Sequence, residues 1–233
     1  RMVEDGVDFA ILGGRRQRYE YFGYTLAGTN LCAHFRKQNA EYLYGKNADF
    51  GYKFTDVSRD DTEILDKMYA LYMEKSMKVI RSREKFYDCF CNGDARPVVI
   101  TKNDEFFGYS CLNGNNGGTG EIELLDFSEL GHVLNDIMNF YGTYGIDVGF
   151  VECSNDEKQQ FLTMNAENFG ISRVDLVMIL NFRSVLDAFL NLKASCKNLV
   201  DGECSFEVEG HKPFKITVKN NSVTVEDFDG DAE

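Results

Sequence analysis

The chain has 233 residues, enough for one large domain or two modest ones at roughly 150 residues each. Hydrophobic residues make up 43% and aromatics 13%, with two prolines, which argues against a disordered protein and allows a real core. Thirty-eight acids against 25 bases leave a net charge of −13, which repels nucleic-acid phosphates and is compatible with cationic partners such as amines.

Seven cysteines (Cys32, Cys89, Cys91, Cys111, Cys153, Cys196 and Cys204) form an odd, scattered set. A secreted disulfide framework is usually even and dense, so a reducing, cytoplasmic setting is expected. Cys89-x-Cys91 is one residue short of CxxC, and no second pair follows at finger spacing, so no metal site is expected. No apolar run approaches the roughly 20 residues of a membrane span, and no signal peptide opens the chain. The opening "RMVEDGVDFAIL" reads as the end of a helix running into a strand, which implies further residues upstream.

In chain order, Asp8 to Leu12 is a short apolar strand ended by Gly13-Gly14. Arg15 to Phe22 reads as a short helix stopped by Gly23 in a left-handed C-terminal cap. Tyr24 to Phe35 turns toward strand, and Asn39 to Lys53 is mixed and aromatic with no clear period. Ser58 and Asp61 have N-terminal cap spacing, and Ile64, Met68, Leu71, Tyr72, Val79 and Ile80 then share one helical face. Arg81 to Phe90 is read as further helix. Pro97–Ile100, Phe106–Leu112 and Glu121–Phe127 are strands, the last two separated by "NGNNGGTG".

Leu130, Val133, Leu134, Ile137, Met138 and Tyr141 then mark the cleanest helix in the chain. Ile146–Glu152 is a strand, Ser154 and Glu157 open a helix through about Asn168, and Ile171–Phe182 is a strand apolar on both faces. Alternating strands and helices are an α/β signature. Ser184 opens an amphipathic helix, and the remainder is alternating β with Asn220-Asn221 as a hairpin turn.

The glycine-rich stretch Gly114 to Gly120 is followed by a strand and lacks a P-loop lysine, so it reads as a hairpin loop. Arg15, Arg16 and Arg18 interleave with Tyr19, Tyr21 and Phe22, yet three arginines in a field of −13 make a poor nucleic-acid footprint. A solvated helix face with buried aromatics is the simpler reading. His34, His132 and His211 are far apart in sequence and fit no nucleophile or metal motif.

"DFAILGGRRQRYEYFGYTLAG", residues 8–28, resembles the end of the catalytic domain of GNAT-superfamily N-acetyltransferases. There a strand leads into a short helix carrying a tyrosine, and FGY or FGF begins the next strand. The whole layout resembles Eis-like acetyltransferases. These combine a catalytic GNAT domain, a second GNAT-like domain without a working cofactor loop, and a C-terminal sterol-carrier-like domain. The resemblance implies an α/β (α+β) fold, a GNAT-like mixed sheet flanked by helices with a small sterol-carrier-like piece. It divides the chain into 1–55, 56–182 and 183–233, matching parts of these three domains in order.

The resemblance further implies acetyl transfer from acetyl-coenzyme A to a primary amine, in a homo-oligomer. It places one catalytic role on Tyr19, the tyrosine three residues before FGY, which donates toward the sulfur of coenzyme A. A phenol at pKa about 10 and a thiol at about 8.5 make full proton transfer uphill by roughly 2 kcal/mol, so the role is mainly hydrogen-bond donation to developing charge. A core tyrosine packed beside Phe22 is the bland alternative.

Two features depart from the family. No [RQ]xxGx[GA] pyrophosphate loop precedes Tyr19, so the cofactor-binding residues are unknown and are expected upstream. In the second unit the equivalent stretch, "SELGHVLNDIM", has one glycine, no Lys or Arg, and Glu129 where a phosphate needs positive charge. That unit is expected not to bind coenzyme A. The family's general base, a C-terminal carboxylate, is not carried over to Glu233. The rival readings are a non-catalytic scaffold or apolar-ligand module and, last, a nucleic-acid binder.

Overall fold

Apolar residues on both faces of the central strands require helices on both sides of the sheet, and the computed structural model has them. It describes residues 2–75, 78–91, 94–113, 118–150 and 156–228. The chain forms two compact units, residues 29–172 and residues 1–28 with 173–233.

In the larger unit, β2 (Thr25–Arg36, which crosses the unit boundary), β3 (Tyr52–Asp56), β4 (Ala95–Lys102), β5 (Glu105–Asn113), β6 (Gly118–Leu124) and β7 (Gly145–Phe150) lie in the order β2-β7-β6-β5-β4-β3. Neighbours are antiparallel except β6 and β7, which are parallel and paired at Thr119↔Val148. On one face α4 (Leu130–Tyr141) buries Leu130, Val133, Leu134, Ile137 and Met138 against Leu31, Phe35, Phe54, Val98, Ile100 and Ile146. Each such side chain contributes roughly 1.5–3 kcal/mol relative to exposure. On the other face α3 (Thr62–Met73) buries Leu65, Met68, Leu71 and Tyr72 with Phe86, Phe90, Val99 and Tyr109. Strand β4 alternates between the layers, Val98 and Ile100 to one and Val99 to the other. The short helices α2 (Lys37–Tyr44) and α5 (Asp156–Asn165) complete this unit.

The smaller unit begins with β1 (Phe9–Leu12), antiparallel to β8 (Asn168–Ile179) with Phe9 opposite Ile179 and Leu12 opposite Leu176. Within it lie the four-residue helix α1 (Arg16–Tyr19), the long α6 (Phe182–Cys196) and an antiparallel meander of β9 (Gly202–Phe206), β10 (Phe214–Lys219) and β11 (Ser222–Asp227). Ala194, Phe214, Ile216, Val223 and Val225 form its core. Asn220 and Asn221 turn the last hairpin at φ 50° and 62°, as the Asn-Asn pair predicts. The α/β mixed sheet with flanking helices is the expected fold class. The three-part division at 55 and 182 concerns kinship to domains of other proteins rather than contacts, and stays a proposal.

Several elements differ from expectation. Residues 37–44 are helical although no period marked them, because only Ala40 of that helix is fully buried. Helix α3 stops at Met73, and Val79 and Ile80 are exposed rather than packed on its face. The returning chain is tied instead through backbone carbonyls: the Tyr72 hydroxyl donates to Val79 O at 2.5 Å and that of Tyr69 to Arg81 O at 3.1 Å. Residues 83–89 form 3-10 turns, not a helix. Asn181, not Ser184, caps α6, its side chain accepting from Ser184 N at 3.1 Å. Ser154, Cys153 and Gly114–Gly117 lie outside the described residues. Among those residues no helix is long and apolar enough to cross a membrane.

Candidate functional site

Tyr19 is the last residue of α1. A 3-10 turn (Glu20–Phe22) follows, and Gly23 closes it at φ 87°, donating its N–H to Glu20 O at 3.0 Å. Only glycine takes that left-handed conformation without strain. Gly14 serves the tyrosine more directly. A Cβ there would lie 2.9 Å from Tyr19 Cε2, so the bare backbone makes room for the ring. Tyr19 is half-buried and packs edge-on against Tyr24, with ring centroids 6.3 Å apart. Its hydroxyl makes no hydrogen bond among the described residues. Tyr21 and Phe22 are 88% and 63% exposed, so the expected buried aromatics face solvent instead. Arg16 pairs with Glu20 one turn on, and Arg15, Arg16 and Arg18 are all exposed.

The second cluster is at the start of α4. Asp126 caps the 3-10 turn Phe127–Glu129, its Oδ1 accepting from Ser128 N at 2.9 Å and Ser128 Oγ at 2.7 Å. Glu129 Oε2 then accepts from the Tyr52 hydroxyl at 2.6 Å and Lys102 Nζ at 3.2 Å, and lies 3.1 Å from His132 Nδ1. These donors, the Tyr52 hydroxyl foremost, pull the Glu129 carboxyl down to about 2. Burial and the same carboxylate push the Tyr52 phenol up to about 12. His132 is stacked on Phe50 at 3.8 Å between centroids. A Cβ on Gly131 would lie 2.2 Å from the Tyr44 hydroxyl, which itself donates to Asn165 Oδ1 at 2.8 Å.

The helix start that would cradle a phosphate is therefore filled by the chain's own groups. Two carboxylates sit there, and the Tyr44 hydroxyl covers the glycine. Anion binding at a helix N-terminus needs room and positive potential beside the N–H groups; the Tyr44 hydroxyl takes room at Gly131, and the Asp126 and Glu129 carboxylates oppose an anion's charge. The fold does bring up Lys102, a base that the local stretch lacks, but Glu129 neutralises it. Lys102, Tyr52 and Tyr44 come from β4, β3 and α2, and no motif links them to residue 129.

The remaining candidates stay apart. His34 pairs with Asp147 at 2.7 Å, and His211 lies edge-on to Phe182. Cys89 and Cys91 are exposed, and Cys111 is buried, which pushes its thiol up to about 11. Among the described residues no group of three metal-ligating side chains converges.

No protein-family model and no curated protein matches the chain by sequence. Solved structures match it by fold. One is a GCN5-related N-acetyltransferase from Anabaena variabilis (TM-score 0.65, 15% identity, covering 100% of this chain and 61% of that one). Another is a GCN5-related N-acetyltransferase from Kribbella flavida (TM-score 0.66, 11% identity, 100% and 58%). A third is Eis1 from Mycobacterium abscessus (TM-score 0.55, 14% identity, 99% and 61%). The chain thus spans about three fifths of the length of these structures. At such identities the likeness is one of architecture, and the chain carries the fold of the Eis-like GNAT N-acetyltransferases.

Proposed function

We propose that the protein works as an N-acetyltransferase, moving acetyl from acetyl-coenzyme A to a primary amine of a small molecule or protein. The observation that carries this reading is the setting of Tyr19. It stands at the end of a short helix closed by Gly23, with its ring over Gly14 and its hydroxyl uncommitted among the described residues. Its neighbours in sequence, Tyr21 and Phe22, point to solvent, so the exposed, half-packed segment suits a cleft wall better than a core.

The neutral amine nitrogen attacks the thioester carbonyl carbon, the C–S bond breaks, the sulfur leaves with the bonding pair, and the proton shed by the nitrogen balances the one the thiol gains. Tyr19 donates a hydrogen bond to that sulfur as charge develops on it, the point at which a positioned donor is most effective. The filled helix start at Glu129 supports a scaffolding role for residues 56–182, a GNAT-like unit that does not hold coenzyme A. The helix-then-meander arrangement of 183–233 supports its reading as the beginning of a sterol-carrier-like domain, and 1–55 as the end of the catalytic one. The protein is further read as a cytoplasmic homo-oligomer.

The test is a thermal shift of the intact protein with acetyl-coenzyme A, followed by an amine panel with thiol release as readout. Stabilisation by acetyl-coenzyme A together with amine-dependent thiol release supports acetyl transfer. No stabilisation and no release contradict it.

A further inference from the structure

A separate cleft of about 620 Å³ lies within residues 29–172. One wall is the end of β2 and the first turn of α2, with His34, Arg36, Lys37 and Gln38; the other is the α4–β7 turn, with Thr143, Tyr144 and Asp147. Three of these residues carry or can carry positive charge, in a chain of net charge −13.

The acid among them is already engaged. His34 and Asp147 are register partners on β2 and β7, with Nδ1 and Oδ1 2.7 Å apart. That contact leaves Nε2 on the far edge of the ring, 3.0 Å from where a Cβ on Gly145 would stand, and only glycine leaves the ring this room. The Lys37 ammonium has no ion pair or hydrogen bond among the described residues. Arg36 reaches Glu167 only at 3.8 Å and gives no side-chain cap to α2. Thr143 Oγ1 is buried with no hydrogen-bond partner, a state that native folds seldom leave unexplained.

We propose that this cleft binds a small molecule through a phosphate group, held by His34, Arg36 and Lys37. Thr143 adds a hydrogen bond after turning its hydroxyl outward. The donor set decides the class: guanidinium, ammonium and hydroxyl all donate, and the cleft's carboxylate is engaged by His34, so the ligand is rich in acceptors and negatively charged. The positive end of α2 favours the same charge. The volume exceeds that of a bare phosphate, and the 87%-exposed Tyr144 ring offers an organic body something to lie against.

The experiment is calorimetric titration of the protein with inorganic phosphate and with phenyl phosphate, at constant ionic strength set with chloride. Saturable binding is expected, weakened about tenfold by Lys37→Ala and by His34→Gln. Tighter binding of phenyl phosphate assigns the site to a phosphomonoester, and equal or weaker binding to free phosphate. Lys37→Ala removes an ammonium that pairs with no group among the described residues, so an unchanged unfolding temperature makes its readout independent of folding. Absence of saturable binding by both probes, or binding that survives both substitutions, overturns the proposal.

Discussion

The Tyr52 hydroxyl lies 2.6 Å from Glu129 Oε2, and this contact joins the first residue of β3 to the N-cap of α4. Lys102 adds a second donor to the same oxygen and lies 4.6 Å above the Tyr52 ring. The carboxyl drops from an ordinary 4.5 to about 2, so its stabilisation is complete above pH 4.5 and is lost as pH falls toward 2. Glu129→Gln should cost about 1–2 kcal/mol at pH 7, discounted because the side chain is 28% exposed, with the gap to wild type closing by pH 2. Denaturant midpoints from pH 7 to pH 2 measure it. A gap independent of pH would show that the charge on Glu129 contributes nothing.

Gly131 is predicted to resist any side chain. The Tyr44 hydroxyl sits 2.2 Å from the place of its missing Cβ and is held there by Asn165. Gly131→Ala should destabilise by about 1–3 kcal/mol despite alanine's better helix propensity. In a Tyr44→Phe background the cost should shrink, because the colliding oxygen is gone. A double-mutant cycle on chemical denaturation reads this coupling, and strict additivity would refute it.

What the sequence makes legible follows how local the cause is. Leu130 to Tyr141 announces itself because its apolar residues repeat at helical spacing and all face one core. The α1 segment and the Asn220-Asn221 hairpin are legible because Gly23, Asn220 and Asn221 meet backbone demands at their own positions. The misreadings are non-local. Val79 and Ile80 keep the α3 period, but the chain turns away after Met73 and Tyr72 reaches out to bind it. Helix α2 buries too little apolar surface to show a period. Asp136 illustrates the same limit: buried in α4, it accepts the N–H groups of Phe50 at 3.0 Å and Tyr52 at 3.1 Å and so shapes the stretch that had no readable pattern. The filled phosphate position was half legible, through Glu129; its partners Tyr52 and Lys102 arrive from other strands.

Asn221 is predicted to do more than turn a hairpin. Its Oδ1 accepts from Leu199 N at 2.8 Å and its Nδ2 donates to Ala194 O at 2.7 Å, tying the end of α6 to the meander. Asn221→Ala loses both bonds and adds strain at φ 62°, for a cost of about 2–3 kcal/mol. Asn221→Gly should cost less, since glycine tolerates the dihedral. Urea denaturation of both variants ranks them, and an alanine variant as stable as the glycine one would contradict this account.

The proposed acetyl transfer rests on the Tyr19 hydroxyl, and the most direct measurement is steady-state turnover of Tyr19→Phe in the intact protein. A phenylalanine keeps the ring over Gly14 and its edge contact with Tyr24 while removing only the donor. The account predicts a fall in kcat of about 100-fold or more with acetyl-coenzyme A binding retained, the range for a lost transition-state donor. A phenylalanine variant that turns over at the wild-type rate would contradict it.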